Sequence, residues 1–455
     1  MKKRQILIGV VALCVCLAVG FCIFKAGEGD LMAAEYAIAQ AQYPETIAYP
    51  AKPDGDEESE WEKYTELVDA YYKQNHEREN RSKPYVDGLY PFYQKTIQEF
   101  LVCERKENRV YSPLNLYMAL SMLAETTNGN SRAQILQLIG ASGIEEVRQS
   151  AAGLWEANYA ADGALECKLA NSIWLKQGMK YTEETLRRLA DTYHTSSFQG
   201  DMGQKKYTIA LQKWLNEQTG GLLKEQAGEI TLTPETILAL ASTIYYRARW
   251  TDHFDEKSTK EGSFHAAAGD ISCDFMHQNR AQTYFFGKNF AAVQLGFNFS
   301  GGMWLILPDE GSSVNALVQS GEVLRLIKEG HQWKDQIFIK VNLSMPKFDI
   351  MSDLDLKESL KTMGVTDIFD EKTADFSPII APEELPYLSK ASHAARVLVD
   401  EEGCQAAAFT VMAVSGAAMP PEEQVDLVLD RPFIFAITGA DNSILFLGVV
   451  EEPIK

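Results

Sequence analysis

A chain of 455 residues, 46% of them hydrophobic, is long enough to bury a large core. Its 63 acidic residues outnumber 43 basic ones, giving a formal net charge of −20, which argues against nucleic acid as a partner because phosphates call for Lys/Arg patches. No dense basic cluster offers a polyanion site, and seven cysteines make no disulfide framework in a chain this size.

Lys2, Lys3 and Arg4 precede an uncharged run from Ile6 to Phe24, so residues 1–29 read as an export signal or a membrane anchor. Ala18-Val19-Gly20 offers a small-residue cleavage site, while Phe21 is too bulky for lipid attachment at Cys22. Either reading places the rest of the protein outside the cytoplasm, secreted or tethered at the cell surface, with membrane contact only through this segment. Residues 30–87 read as a polar tether, because Lys52–Glu60 and Arg78–Pro84 cannot bury a core, with room for one short helix at Trp61–Tyr72. Residues 88–455 are then the folded domain. Beyond the N-terminal run, Cys103, Cys167, Cys273 and Cys404 are widely spaced without metal-type pairing, so free thiols and no metal are expected.

Within the domain, Leu89–Leu101 has helical spacing of apolar residues. Asn108–Glu125 passes from a short strand into a helix near Pro113, with Ser112 placed to cap it. Gly129–Leu136 starts another helix, and Leu169–Leu175 and Lys180–Gly200 read as strand and helix. The run Leu238–Trp250 (L-A-L-A-S-T-I-Y-Y-R-A-R-W) is a buried strand by its apolar and aromatic content. Ala291–Pro308 reads as two strands joined at Ser300-Gly301-Gly302, Ile337–Phe348 as a strand, and Asp353–Phe369 as a helix. Helices massed in the first half and strands in the second predict a mixed α+β domain.

Leu388–Val399 leads into the most unusual stretch, Val399–Pro421, V-D-E-E-G-C-Q-A-A-A-F-T-V-M-A-V-S-G-A-A-M-P-P. From Cys404 to Met419 it carries no charge. As a strand, it would place Cys404, Ala406, Ala408, Thr410 and Met412 on one face and Gln405, Ala407, Phe409 and Val411 on the other. An Ala-rich helix ending at Gly416 is the competing reading of the residue types. Downstream come L-V-L-D-R-P-F-I-F-A-I (Leu427–Ile437) and I-L-F-L-G-V-V-E-E-P near the end of the chain.

The hinge E-E-G-C-Q-A-A-A together with D-R-P-F in its apolar frame resembles the serpins, the serine-protease-inhibitor family, and the likeness runs from about Leu89 to the C-terminus. The resemblance implies helices packed around three β-sheets with an exposed reactive-centre loop, and no enzyme activity or cofactor. It implies a monomeric suicide inhibitor of serine proteases, whose cut loop enters the main sheet as a new strand. The hinge would be Glu401, Glu402, Gly403, Cys404, Ala406, Ala407, Ala408 and Thr410. The family's usual spacing of fourteen residues from the hinge glycine puts the scissile bond at Ala417–Ala418, with Val414 and Met419 as alternatives. Small aliphatic side chains there suit elastase-like partners. Ser112 and Asn115 would lie beneath the centre of the main sheet, where it parts, and Trp250 near its top, where the loop enters. His393 matches a family histidine that bonds across the parting strands. The family usually has Ser where Asn115 stands and Asn where Ser242 stands, so these two are expected to have exchanged roles. The alternative class is a non-inhibitory serpin-fold binding protein, less expected because small residues fill the hinge. A hydrolase is a distant third, since no G-x-S-x-G elbow, H-E-x-x-H or Walker loop is present.

Overall fold

The computed structural model describes residues 32–44, 48–53, 55, 57–162, 165–298, 301–381, 386–389, 391–404 and 423–453. The expected signal or anchor at 1–29 lies outside the described residues, as does the loop from Gln405 to Glu422.

The helices that position the site come mostly from the first half of the chain. They are α1 (Glu58–Leu101), α2 (Pro113–Thr126), α3 (Gly129–Ile139), α4 (Ile144–Asn158), α5 (Glu183–Tyr193) and α6 (Lys205–Gln218). Helix α2 is buried on nearly every side, which is why P-L-N-L-Y-M-A-L-S-M-L-A has no polar stripe. Asp353–Phe369 is helical only from Leu356, because Asp353–Asp355 finish a strand and the Asp355 carboxylate caps Lys357 N–H. Lys180–Gly200 likewise divides, with Thr195–Gly200 forming a strand after α5.

The first sheet contains β1 (Ala37–Ala39), β3 (Ala160–Ala161), β4 (Glu166–Lys176), β5 (Thr195–Gly200), β6 (Leu238–Arg249), β12 (Phe348–Asp355), β13 (Ser392–Val399) and β14 (Gly403–Cys404). Its order is β1-β5-β4-β6-β14-β13-β12, with β3 on β4. The second contains β2 (Arg109–Tyr111), β7 (Lys260–Ala266), β8 (Gly269–Phe286), β9 (Phe290–Gly296), β10 (Gly302–Pro308), β11 (Gln336–Pro346), β15 (Gln424–Val428), β16 (Phe433–Thr438) and β17 (Ile444–Val450). Its order is β15-β11-β8-β9-β10-β16-β17-β2, with β7 on β8. Three sheets were expected, whereas the described strands form two. The reason is β8, which continues from its pairing with β7 into β11 and β9 without a break and so fuses what would be separate sheets. β10, β16 and β17 are buried along their whole length, which accounts for their continuous rather than alternating apolar sequences.

Within residues 30–87, expected to be a polar tether, residues 32–44 and the helix from Glu58 lie against the folded domain. Helix α1 begins at Glu58 and buries Tyr71, Ser82 and Val86 on the domain before reaching Leu89. Upstream, β1 pairs antiparallel with β5, and Ala33 packs among Trp174, Phe198 and Tyr207. Charged runs misled the reading because a helix docked on an existing domain needs only a narrow buried stripe, so most of its residues stay polar.

Candidate functional site

The site is built where β13 turns back into β14. β13 buries Ala395, Val397 and Val399 on one face by strict alternation. The chain then reverses over Asp400–Gly403. The Asp400 carboxylate accepts the N–H groups of Glu402 and Gly403 at 3.0 and 3.1 Å, and Asp400 N–H donates to the Gly403 carbonyl at 3.1 Å. Burial raises the Asp400 pKa, although those two N–H groups pull the other way. Gly403 is required by space: a Cβ there would lie 2.2 Å from the Ala248 carbonyl oxygen. Glycine lets the turn press against β6, where Gly403 pairs with Arg249 and Cys404 with Ala248. On its other side Cys404 pairs with Val399 of β13. Its thiol is buried, and burial pushes its pKa up to about 12, so it behaves as a small apolar filler and not a nucleophile.

Three side chains that the sequence reading did not single out hold this turn, along with two that it did, Trp250 and Glu401. Trp250 N–H donates to the Glu402 carbonyl at 3.1 Å and its indole Nε1 to the Asp400 carbonyl at 2.9 Å. The ring is itself fixed by stacking on Phe297 at 4.8 Å. Glu401 accepts from Thr259 Oγ1 at 2.7 Å and pairs with Lys347 Nζ at 3.0 Å. Burial works to raise the Glu401 pKa, but these two donors outweigh it and hold the carboxyl below its usual range. Asp400, Thr259 and Lys347 were missed. Lys347 belongs to the M-P-K-F run at the end of β11, a basic residue in an otherwise apolar frame, and that was the available signal.

Farther along the sheet a second group of contacts centres on α2. Ser112 caps that helix, accepting Asn115 N–H at 3.2 Å, while its hydroxyl donates to the Leu445 carbonyl of β17. Asn115 Nδ2 donates to the Ser242 carbonyl of β6 at 3.0 Å, and the Ser242 hydroxyl returns a bond to Asn115 Oδ1. The amide and the hydroxyl expected to have exchanged places therefore meet. His393, at the start of β13, does not bond across to β6 as expected; its Nε2 accepts Ser112 N–H at 2.9 Å, from beneath the sheet. Burial lowers its pKa to about 4, so the ring is neutral. Its Nε2 is occupied by a backbone N–H and not by a serine hydroxyl, so His393 and Ser112 do not form a base–nucleophile pair.

Among the described residues β6 and β13 pair with β14 and not with one another. Between them, Ile244, Tyr246, Ala395, Val397, Ile437 and Phe446 line one small cleft beside Cys404. Of the expected hinge, Glu401, Glu402, Gly403 and Cys404 are placed; Ala406, Ala407, Ala408 and Thr410, and the scissile positions Val414, Ala417, Ala418 and Met419, lie outside the described residues.

Residues 90–453 match the family model described as serpin (serine protease inhibitor). Serpin-ZX of Arabidopsis thaliana is 26% identical over 77% of this chain and 93% of its own length. Among solved structures, the thermophilic serpin tengpin in its native state superposes with a TM-score of 0.71 at 23% identity, covering 89% of this chain and 97% of that one. Thyroxine-binding globulin in complex with thyroxine gives 0.67 at 24% identity, covering 82% and 99%.

Proposed function

The chain belongs to the serpin family, and from that premise we propose that it is a suicide inhibitor of serine proteases, most suited to elastase-like enzymes. The observation that carries this reading is β14: two hinge residues seated between β6 and β13, two strands that among the described residues have no other pairing between them. Extending its register into the loop is instructive. A strand that ran on in this register after cleavage would set Ala406 between Tyr246 and Val397, Ala408 between Ile244 and Ala395, and Thr410 between Ser242 and His393. Small side chains thus meet the crowded upper part of the cleft, and the hydroxyl meets the polar group around Asn115. Strand addition of this kind gains ladder hydrogen bonds and buries the alternate side chains.

The loop is offered as substrate. The protease serine attacks the Ala417 carbonyl, the bond to Ala418 breaks, and the amine leaves with the C-terminal fragment, so the enzyme is esterified to the inhibitor. The freed hinge then enters the cleft as a strand before water can hydrolyse the ester. No Lys or Arg lies between Glu402 and Arg431, so an enzyme whose pocket needs a cation finds none. We place this activity outside the cytoplasm, in a monomer exported or anchored by residues 1–29; N-terminal sequencing of the mature protein separates cleavage from anchoring.

The test is to mix the purified protein with elastase-type and trypsin-type enzymes and resolve the products under denaturing conditions. A covalent complex with elastase supports the reading. Cleavage of the loop without any complex across both classes would remove inhibition and leave a binding protein of serpin fold.

A further inference from the structure

The part of α1 before Leu89 lies ahead of the family-model match at residue 90. The helical repeat puts Tyr71, Asn75, Arg78, Glu79, Ser82 and Val86 of this extension on one stripe. Tyr71, Ser82 and Val86 are buried, as a docked stripe requires. Asn75, Arg78 and Glu79 in its middle are polar, and all three line a small cavity between the extension and the core.

The core side of this cavity comes from separate elements. Asn158 ends α4, Tyr246 belongs to β6, and Gly439 follows β16. Asn158 Nδ2 donates to the Leu154 carbonyl at 2.9 Å and to the Asp441 carboxylate at 3.1 Å. Both of its protons are thus used, which fixes the amide orientation and leaves Oδ1 facing Gly439. Glycine leaves room for that oxygen, since a Cβ at Gly439 would collide with it.

Three buried atoms on the cavity bond to no group among the described residues: Arg78 Nε, Asn158 Oδ1 and the Tyr246 hydroxyl. Asn158 is 4% exposed and Tyr246 5%. Burying such groups unpaired is costly, and in native proteins they find protein or water partners. Their chemistry selects the ligand. Arg78 Nε only donates and Asn158 Oδ1 only accepts, while the hydroxyl does either. A bare anion has no proton to give Asn158, and a bare cation meets the Arg78 charge. About 20 Å³ is open to the centre of a water-sized sphere, which is the scale of one water.

We propose that the cavity is a built site for a structural water, which accepts from Arg78 Nε, donates to Asn158 Oδ1 and bonds the Tyr246 hydroxyl. That water ties the α1 extension to α4 and β6. Tyr246 also lines the small cleft beside Cys404, so the extension is linked to the edge of the hinge. The site stands independently of the inhibitory reading.

The test is a crystal structure of the purified protein at a resolution that shows ordered water, with hydrogen–deuterium exchange on the unmodified protein and on Tyr246→Phe. The crystal should hold a water within about 3.2 Å of all three atoms. Tyr246→Phe keeps the ring and removes the hydroxyl, so amides of residues 71–82 should exchange about fivefold faster as the extension opens more often. Density in which the three atoms bond to one another or to another side chain, with no water between them, overturns the site. Exchange at the unmodified rate in folded Tyr246→Phe overturns it as well. Should that variant fail to fold, the crystal of the unmodified protein decides.

Discussion

His393 has no charged partner, and burial alone holds its folded pKa at about 4 against an ordinary value near 6.5. The folded protein thus keeps a neutral ring where the unfolded chain takes up a proton. Its contribution to stability is complete above pH 6.5 and is lost as the pH falls toward 4, on the order of 3 kcal/mol in all. His393→Gln should flatten the acid limb of a urea-midpoint series between pH 7 and 4.5; parallel limbs for the two proteins would refute the assignment. Thr410 gives a sharper test, because the extended register sets it against Ser242 and His393 on the buried face. Thr410→Arg would bury an unpaired cation, costing several kcal/mol even after relaxation, and each 1.4 kcal/mol felt on the way in slows insertion about tenfold. Hydrolysis then wins, and the inhibitor becomes a substrate. Phe409→Arg, on the outward face, should form complexes nearly as well as the unmodified chain, so equal losses at both positions would refute the alternation. That Asn115 and Ser242 meet could be anticipated from the sequence because both belong to recognisable motifs. Lys347 and Thr259 could not, since they become partners of Glu401 only when β11, the segment after β6, and the hinge are brought together by long-range pairing.

The hinge is the element on which insertion depends, and its geometry is set by one glycine. Gly403→Val puts side-chain atoms into the Ala248 carbonyl, so β14 cannot seat and the Trp250 bonds to Asp400 and Glu402 are lost. The fraction of inhibitor cut without forming a complex should rise at least tenfold, read as moles consumed per mole of enzyme inhibited; an unchanged ratio would show that insertion does not begin at β14. Cutting the loop within Val414–Met419 tests the element as a whole. Under the proposed mechanism the uncut loop, joined to the chain at both ends, would keep the molecule kinetically trapped. Release lets the strand complete its ladder and bury Met412, worth about 1.5–3 kcal/mol for that side chain alone. The melting temperature should rise sharply, and no rise after a confirmed cut would mean that the cleft does not accept the strand. At this scale β6 was readable from its apolar and aromatic content. The N-terminal elements were not. The part of α1 before Leu89, which buries only Tyr71, Ser82 and Val86, looks polar in sequence, and a three-residue edge strand such as β1 leaves too short a pattern to recognise.

For the whole molecule, the target class follows from what the loop lacks. The family spacing from Gly403 places the scissile residue at Ala417, and a slip of a few residues reaches only Val414 or Met419, none of them cationic. A trypsin-like pocket, with its acid at the base, gains no ion pair from any of these, whereas a shallow pocket accepts alanine or valine. Fast inhibition of elastase-type enzymes and negligible inhibition of trypsin-like ones is expected. The C-terminal fragment released on complex formation locates the bond by mass, and a cut outside Val414–Met419 would remove the assignment. Ala417→Arg supplies the missing cation at a position beyond the hinge residues that enter the upper cleft, so it should transfer inhibition to trypsin while the gain in melting temperature after loop cleavage stays unchanged. Loss of both properties together would instead place Ala417 within the inserted strand and move the scissile bond toward Met419.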